Sequence, residues 1–313
     1  MIAVVAAIAL STAAGVWAER RWGDGARVLA VRLLDLLLYV GLPFITFFVI
    51  ARLKLDAGVG VGLLLAYAEL ATVGAVAYLL ATRVLRAPRP VVGAVVVGAL
   101  LGNTGYFGIP LNAALLGHDA IAPAIAWDTT VSGPMFYAVA FAVGAAFGTR
   151  AGGSARERVK AFVTRNPPLL ALVAGLLVPD ALVPEVLVTA ARGGAFAMLP
   201  IAFFVLGVTL GSEAEAGKLA IPPPVSAPLV TIVGLRLVLA PALFAGLALL
   251  AGAAGARPPT AYYVQAAAPC GVNAIVVAHV YGLDLRLIAG AILWSTAIVA
   301  LAALAYVGLG GLL

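Results

Sequence analysis

Apolar residues fall into ten long stretches along the chain, and the short segments between them hold most of the charged residues. The stretches, numbered one to ten, cover residues 2–18, 28–50, 58–82, 91–117, 120–148, 166–179, 186–211, 226–250, 260–281 and 285–312. An α-helix needs about 20 apolar residues to cross the hydrocarbon core of a bilayer. The pattern therefore predicts an all-α membrane protein with ten transmembrane spans and no sizeable soluble domain.

The composition agrees with a membrane location. Apolar side chains make up 64% of the 313 residues and charged ones only 10%, whereas soluble domains carry roughly 25% charged residues. The one cysteine, Cys270, excludes an internal disulfide and a cysteine-based metal centre. We expect no cofactor, and we attribute the formal net charge of +6 to membrane topology rather than to nucleic-acid binding.

Basic residues are distributed unevenly over the loops. Most lysines and arginines follow odd-numbered spans, and only Arg52, Lys54, Arg192 and Arg257 follow even-numbered ones. Basic loops of membrane proteins stay in the cytoplasm. We therefore expect a multi-pass protein of the cytoplasmic (inner) membrane, with both termini outside and the basic segment 149–165 in the cytoplasm.

The chain shows signs of an internal repeat when it is divided in that basic segment. Three short matches relate residues 1–148 to residues 166–313, and two of them have an offset of about 166 residues. The matches are Leu42-Pro43 with Leu199-Pro200, 102–105 with 268–271, and 124–129 with 291–296. Two halves of five spans have opposite orientations, a design of secondary transporters. Chance similarity between alanine-rich helices is the alternative.

Glycine and proline interrupt spans four and nine. Residues 102–110 read GNTGYFGIP and residues 268–273 read APCGVN, and a proline alone costs a helix about 3 kcal/mol. Both helices should break there and present unpaired N–H groups that suit an anion. The candidate substrate-binding residues are Asn103, Thr104, Gly105, Pro110, Gln265, Pro269, Cys270, Gly271 and Asn273. The alternative is that glycine, proline and asparagine here only pack helices together.

Three ionisable residues lie near the middle of their spans: Glu69, Asp128 and Arg236. A charge at the bilayer centre costs roughly 2.5–3.5 kcal/mol, so such residues are usually paired, solvated or functional. Our hypothesis is that Arg236 attracts an anionic substrate, while Glu69 or Asp128 carries a proton or coordinates a cation. A purely structural ion pair between Arg236 and one of the carboxylates is the alternative.

At the two interruptions the sequence resembles the auxin efflux carrier family, whose prokaryotic members are small ten-span transporters. The resemblance is carried by residues 102–111 (GNTGYFGIPL) and 265–274 (QAAAPCGVNA). The Leu-Pro of span two, the basic central loop and Arg236 followed by Pro241 agree with it. Cys270 stands where the family frequently has a small hydroxylic residue.

The resemblance implies the fold of the bile-acid sodium symporters. Spans one, two, six and seven would form a scaffold, and spans three to five and eight to ten a mobile core in which the discontinuous helices cross, as in an elevator mechanism. It also implies small organic anions as substrates, namely auxin in plants and dicarboxylates such as malate or malonate in bacteria. Asn103 and Asn273 would lie near the substrate. The short central loop excludes a plant-type regulatory loop and argues against auxin as the substrate.

The leading function is therefore a secondary carrier for small carboxylates, possessing no enzymatic activity. We find no His-Glu-x-x-His, magnesium-diphosphate or Gly-x-Ser-x-Gly motif in the sequence. Alternatives are sodium-coupled uptake of the bile-acid type and a membrane sensor that binds a ligand without moving it. Coupling to Na⁺, to H⁺ or to neither stays open. The expected partners are the substrate, the lipid bilayer and a second copy bound through the scaffold.

Overall fold

The computed structural model describes residues 2–52, 60–150, 166–215 and 223–310, together with residues 154, 156, 157, 160 and 164. Over these residues the fold is all-helical, with 85% helix and no β-strand. The helices are α1 (Ile2–Trp22), α2 (Asp24–Ala51), α3 (Gly60–Val84), α4 (Arg89–Leu100), α5 (104–116), α6 (Ile121–Phe147), α7 (Pro167–Leu177), α8 (Glu185–Glu215), α9 (Ala227–Ala253), α10 (Ala261–Ala266), α11 (Ala274–Tyr281) and α12 (Leu285–Gly310).

Five of these helices are long and apolar enough to cross a membrane: α2, α3, α6, α9 and the segment Leu285–Ala303 of α12. They correspond to the predicted spans two, three, five, eight and ten. Spans four and nine are each divided, into α4 with α5 and α10 with α11. The predicted all-helical membrane class is therefore confirmed.

Four helices contain a wide, π-helical turn that ends two residues before a proline. The prolines are Pro43 in α2, Pro110 in α5, Pro134 in α6 and Pro241 in α9. A proline has no N–H to donate, and its ring clashes with the carbonyl four residues earlier. A widened turn before the proline relieves that clash without ending the helix.

The helices pack as two groups. The first, called the four-helix group, contains α1, α2, α7 and α8. Its closest contact joins α1 to α8, where a Cβ on Gly15 would lie 2.8 Å from the backbone nitrogen of Val208. Gly175 of α7 similarly lies against α2, because a Cβ there would be 2.8 Å from the Phe47 carbonyl oxygen. Glycine therefore allows these backbones to touch.

The remaining helices, α3–α6 and α9–α12, form the second group, called the crossing group. An aromatic cluster fixes its interior: the ring of the buried Trp127 lies 5.2 Å from that of Phe244 and 5.1 Å from that of Tyr262. The two groups touch mainly where α8 meets α12 and α5, and where α7 meets α6. The cluster holds α6, α9 and α10 around the divided helices.

Candidate binding site

The two divided helices meet at their breaks. Helix α4 ends at Leu100 and α10 ends at Ala266, and non-helical backbone follows in both cases. The Asn103 N–H donates to the Pro269 carbonyl and the Gly271 N–H donates to the Leu101 carbonyl, both at 2.7 Å. These bonds form an isolated antiparallel bridge between Gly102 and Cys270. The predicted interruptions are thus present, and the two segments run in opposite directions where they touch.

Glycine is required at this crossing because the backbones lie so close together. A Cβ on Gly271 would be 3.0 Å from the Gly102 carbonyl oxygen, and a Cβ on Gly102 would be 2.8 Å from Arg236 Nη2. The sequence identified these glycines as helix breakers. The structure adds that their missing side chains make room for the other segment and for an arginine.

Several amide groups predicted to face a solute are instead used within the protein. Besides those of Asn103 and Gly271, the Cys270 N–H donates to Ser295 Oγ at 3.0 Å. A helix leaves its first-turn N–H groups without intrahelical partners. In α11 the N–H groups of Ala274, Ile275 and Val276 donate to the carbonyls three residues earlier, at 3.0–3.1 Å. Over the described residues, the remaining donors therefore belong to the first turn of α5.

The first turn of α5 already has a carboxylate beside it. A Cβ on Gly105 would lie 3.0 Å from Asp128 Oδ2, and the Thr104 hydroxyl donates to Asp128 Oδ1 at 2.6 Å. The Thr104 and Ser132 hydroxyl oxygens are 2.8 Å apart. A negative charge is favourable at a helix N-terminus. Asp128 therefore occupies the place where an anion would bind to α5, and these oxygens together suit a proton or a small cation.

Arg236 is 1% exposed and binds the end of α10. Its Nε donates to the Ala268 carbonyl and its Nη2 to the Ala266 carbonyl, both at 3.0 Å. The carbonyl end of a helix carries partial negative charge, which a cation stabilises. Over the described ranges, Arg236 forms no ion pair within 4.0 Å with Glu69 or Asp128. Its guanidinium therefore holds the break of span nine in place.

Glu69 is completely buried in α3, and in the described part of the chain neither of its carboxylate oxygens has a hydrogen-bond partner. Burying a charge without a partner is strongly unfavourable. A proton or a cation would remove this penalty.

The buried amide side chains around the crossing are only partly satisfied. Gln265 Nε2 donates to the Ala124 carbonyl at 2.8 Å and Asn112 Nδ2 to the Gly108 carbonyl at 2.9 Å. Among the residues described, Gln265 Oε1, Asn112 Oδ1, Asn103 Nδ2 and Arg236 Nη1 have no partner. Buried polar groups normally have one, so these atoms mark a place for water or a ligand.

The other predicted residues lie nearby. Asn273, half-buried, precedes α11, and Pro110 lies in the second turn of α5. A small cavity of about 10 Å³ lies against Gly102, Thr104 and Arg236, which is close to the room that one water molecule needs. The crossing is therefore closed around its polar atoms in this conformation.

Sequence reasoning missed Ser132, Ser295 and Asn112. Ser295 is the residue that the match between 124–129 and 291–296 places opposite Asp128. The match between 102–105 and 268–271 aligns Thr104 with Cys270. The structure shows a contact between Thr104 and Asp128 and one between Cys270 and Ser295. Reading the two matches together would have identified Ser295; Ser132 and Asn112 had no comparable signal.

The all-helical fold and the five apolar helices that are long enough to cross a membrane indicate an integral membrane protein. The comparison with protein families agrees: residues 162–307 match the family described as Membrane transport protein. This is the membrane transport domain of the auxin efflux carrier family, so the resemblance seen in the sequence is confirmed over this part of the chain. The matched part contains Arg236 and the break in span nine. No curated protein matches the chain.

Proposed function

We propose that the protein is a secondary carrier that moves small organic anions, in particular carboxylates, across the cytoplasmic membrane. The observation that carries this proposal is the crossing, where two breaks meet and buried polar atoms of Asn103, Gln265 and Arg236 lack partners over the described residues. Unwound backbone at membrane depth is tolerated where protein or a water-filled cavity satisfies it. Interrupted segments at matching positions of two halves are typical of transporter binding sites.

Related contacts in the two halves support an inverted repeat of residues 1–148 and 166–313, joined by the loop 149–165. Thr104 contacts Asp128 in the first half as Cys270 contacts Ser295 in the second. Such a repeat gives one site two equivalent states that open to opposite sides of the membrane. Alternating access follows from that symmetry.

We assign the four-helix group to a scaffold and the crossing group to a mobile core. The first group comprises spans one, two, six and seven, and its glycine-mediated contacts are closer than those that join it to the core. The binding site lies entirely within the core, so a movement of the core would carry the substrate along. Dimerisation through the scaffold and a location of both termini outside remain predictions.

We place the substrate carboxylate beside the Asn273 side chain at the N-terminus of α11, where the helix dipole favours a negative charge, rather than at α5. Asp128 already supplies a negative charge to α5 and would repel a second one. Asn103 and Gln265 would bind polar parts of the substrate through the atoms that lack partners in the described structure. Arg236 would contribute its positive potential while it holds the end of α10.

Cation-coupled symport is a second candidate function, favoured by two carboxylates inside the core. Asp128 forms an oxygen cluster with Thr104 and Ser132, and Glu69 is buried without a hydrogen-bond partner in the described part. Oxygen atoms are the ligands of hard cations. Either carboxylate would therefore take up Na⁺ or H⁺.

A stability screen of the purified protein tests both proposals. Small mono- and dicarboxylates are added with and without sodium, at two pH values, and the unfolding temperature is recorded. We expect carboxylates to raise this temperature, since a ligand that binds the folded state stabilises it. If sodium increases this rise in unfolding temperature, the result indicates sodium coupling. If the rise is larger only at the lower pH, it indicates proton coupling. Absence of stabilisation by every carboxylate would contradict the proposal.

A further inference from the structure

A large cavity of the described structure lies away from the crossing, between the two helix groups. It has a volume of about 510 Å³, within the range of roughly 300–1,000 Å³ that is usual for ligand sites. Helices α1 and α8 of the four-helix group line one side, and α12 with Phe107 of α5 lines the other. An occupant would therefore contact both groups.

The cavity is long, and its polarity changes along its length. One face of α1 lines it from Ile8 to Arg20, a distance of about 18 Å at 1.5 Å per residue. Among the described residues of the lining, Arg20, in the last turn of α1, is the only charged one, and apolar side chains make up most of the rest. A single positive charge thus stands at one end of an apolar channel.

Arg20 is available to bind a ligand. Its neighbour Glu19 is occupied by Arg27, whose Nε donates to Glu19 Oε1 at 2.6 Å. Over the ranges that the structure describes, Arg20 is exposed and has neither an ion pair nor a hydrogen bond through its side chain. The adjacent Arg21, also in the last turn of α1, does not line the cavity.

We propose that this cavity binds an amphipathic monocarboxylate with a single long apolar chain. Its carboxylate would pair with Arg20, and its chain would lie along α1 toward Ile8. Such a ligand would match the cavity in charge and in shape. Its anionic head would face the positively charged Arg20, and its apolar chain would lie against the apolar part of the lining. A small dicarboxylate would leave its second charge among apolar side chains, which is strongly unfavourable.

Binding here would also affect transport, a consequence that rests on the proposed carrier function. A chain that contacts α1 and α8 on one side and α12 on the other stabilises their present arrangement. Movement of the core against the scaffold would then require the ligand to leave. The bound amphiphile therefore acts as an inhibitor of the carrier at a site separate from the crossing.

Quenching of tryptophan fluorescence tests the binding without any transport measurement. Trp17 lines the cavity one turn before Arg20 and is 58% exposed. A long-chain carboxylate brominated near its carboxyl end, titrated into the protein in nanodiscs, should quench Trp17 saturably. The ring of Trp22 lies 5.2 Å from that of Trp17 and would also be quenched, so the titration uses the variant Trp22→Phe. In that variant, the further change Trp17→Phe should remove the saturable component. Its persistence would overturn the proposal because the ligand would be bound elsewhere.

Charge variants identify the head-group contact. Loss of a hydrogen bond to a charged group corresponds to about a tenfold change in affinity. We expect Arg20→Gln to weaken binding about tenfold and Arg21→Gln, the matched control, to leave it unchanged. The methyl ester of the same compound should bind the wild type about tenfold more weakly. Equal effects of both variants, or equal binding of ester and acid, would overturn the proposal and indicate an unspecific lipid crevice.

A substitution that fills the cavity tests where the apolar chain of the ligand lies. Ala13 lines the cavity in the middle of α1 and is exposed, so Ala13→Phe should fit without unfolding the protein. We expect this variant to abolish saturable quenching while its unfolding temperature stays near that of the wild type. Unchanged affinity in the folded variant would show that the chain does not lie along α1.

Discussion

Glu69 and Arg236 are both buried charged residues, but they differ in the number of hydrogen-bond partners that the described structure gives them. Arg236 donates two 3.0 Å hydrogen bonds to carbonyls at the end of α10. Glu69 is equally buried, yet in the part of the chain described here neither of its oxygens accepts a hydrogen bond. The arginine therefore holds a structural element through hydrogen bonds, whereas over the described residues Glu69 has no hydrogen-bond partner and interacts with Arg236 only through charge.

Neutral substitutions of Arg236 and Glu69 should affect the stability of the protein differently. Hydrogen bonds to charged groups contribute about 1.5–3 kcal/mol each, so the loss of both bonds in Arg236→Gln should lower the free energy of unfolding by about 3–6 kcal/mol. Glu69→Gln should leave it unchanged or raise it, because this variant removes a buried charge and breaks no hydrogen bond. Thermal unfolding of both variants in detergent measures the difference. Equal destabilisation would show that Glu69 has a structural partner.

At the scale of the helices, the sequence predicted where spans four and nine break, because glycine and proline oppose a helix wherever they lie. It could not predict how the breaks meet. The bonds between Asn103 and Pro269, and between Gly271 and Leu101, join residues that are far apart in the chain. The same limit applies to Arg236. Its carbonyl partners, Ala266 at the end of α10 and Ala268 just after it, follow from the packing of α9 against this segment.

The crossing should tolerate alanine much less than an ordinary helix does. A Cβ on Gly271 would meet the Gly102 backbone at 3.0 Å, whereas a Cβ on Gly246 in α9 meets nothing within 4 Å. Gly271→Ala should therefore destabilise the protein by about 1–3 kcal/mol, a typical cost of overpacking. Gly246→Ala should stabilise it by up to about 1 kcal/mol through helix propensity. Unfolding temperatures that fall equally would contradict the close approach at the crossing.

At the scale of the whole molecule, a polar contact between a histidine and an aspartate joins the two helix groups. His279 Nε2 of α11 lies 3.7 Å from Asp35 Oδ1 of α2. The sequence could not show this contact, nor the cavity beside α1, because both arise between groups of helices rather than within one. By contrast, the helical class and most of the helix bounds followed from the apolar stretches alone, which are a local property of the chain.

Linking the two groups should stop transport but not binding. Asp35→Cys and His279→Cys, combined in one chain and joined by a short bifunctional thiol reagent, would fix α11 against α2. The native Cys270 is completely buried and should not react. We expect crosslinked protein to retain stabilisation by carboxylates and to lose their exchange, while each single variant exchanges normally. Full exchange after complete crosslinking would exclude movement between these groups.

Carboxylate counterflow in proteoliposomes tests the central claim most directly, with Asn103→Ala and Asn166→Ala as a matched pair. Asn103 Nδ2 has no partner among the described residues, so its loss should not affect stability. Both polar atoms of the Asn166 side chain have partners: Nδ2 donates to the Tyr137 carbonyl, and Oδ1 accepts from the Leu169 N–H. Its loss should cost about 1 kcal/mol of stability, because Asn166 caps a helix.

We predict exchange of a labelled small carboxylate by the wild type and by Asn166→Ala, and at least a tenfold loss in Asn103→Ala. Equal exchange by both variants would contradict a substrate site at the crossing. Carboxylate binding without any exchange by the wild type would show that the protein is a sensor rather than a carrier.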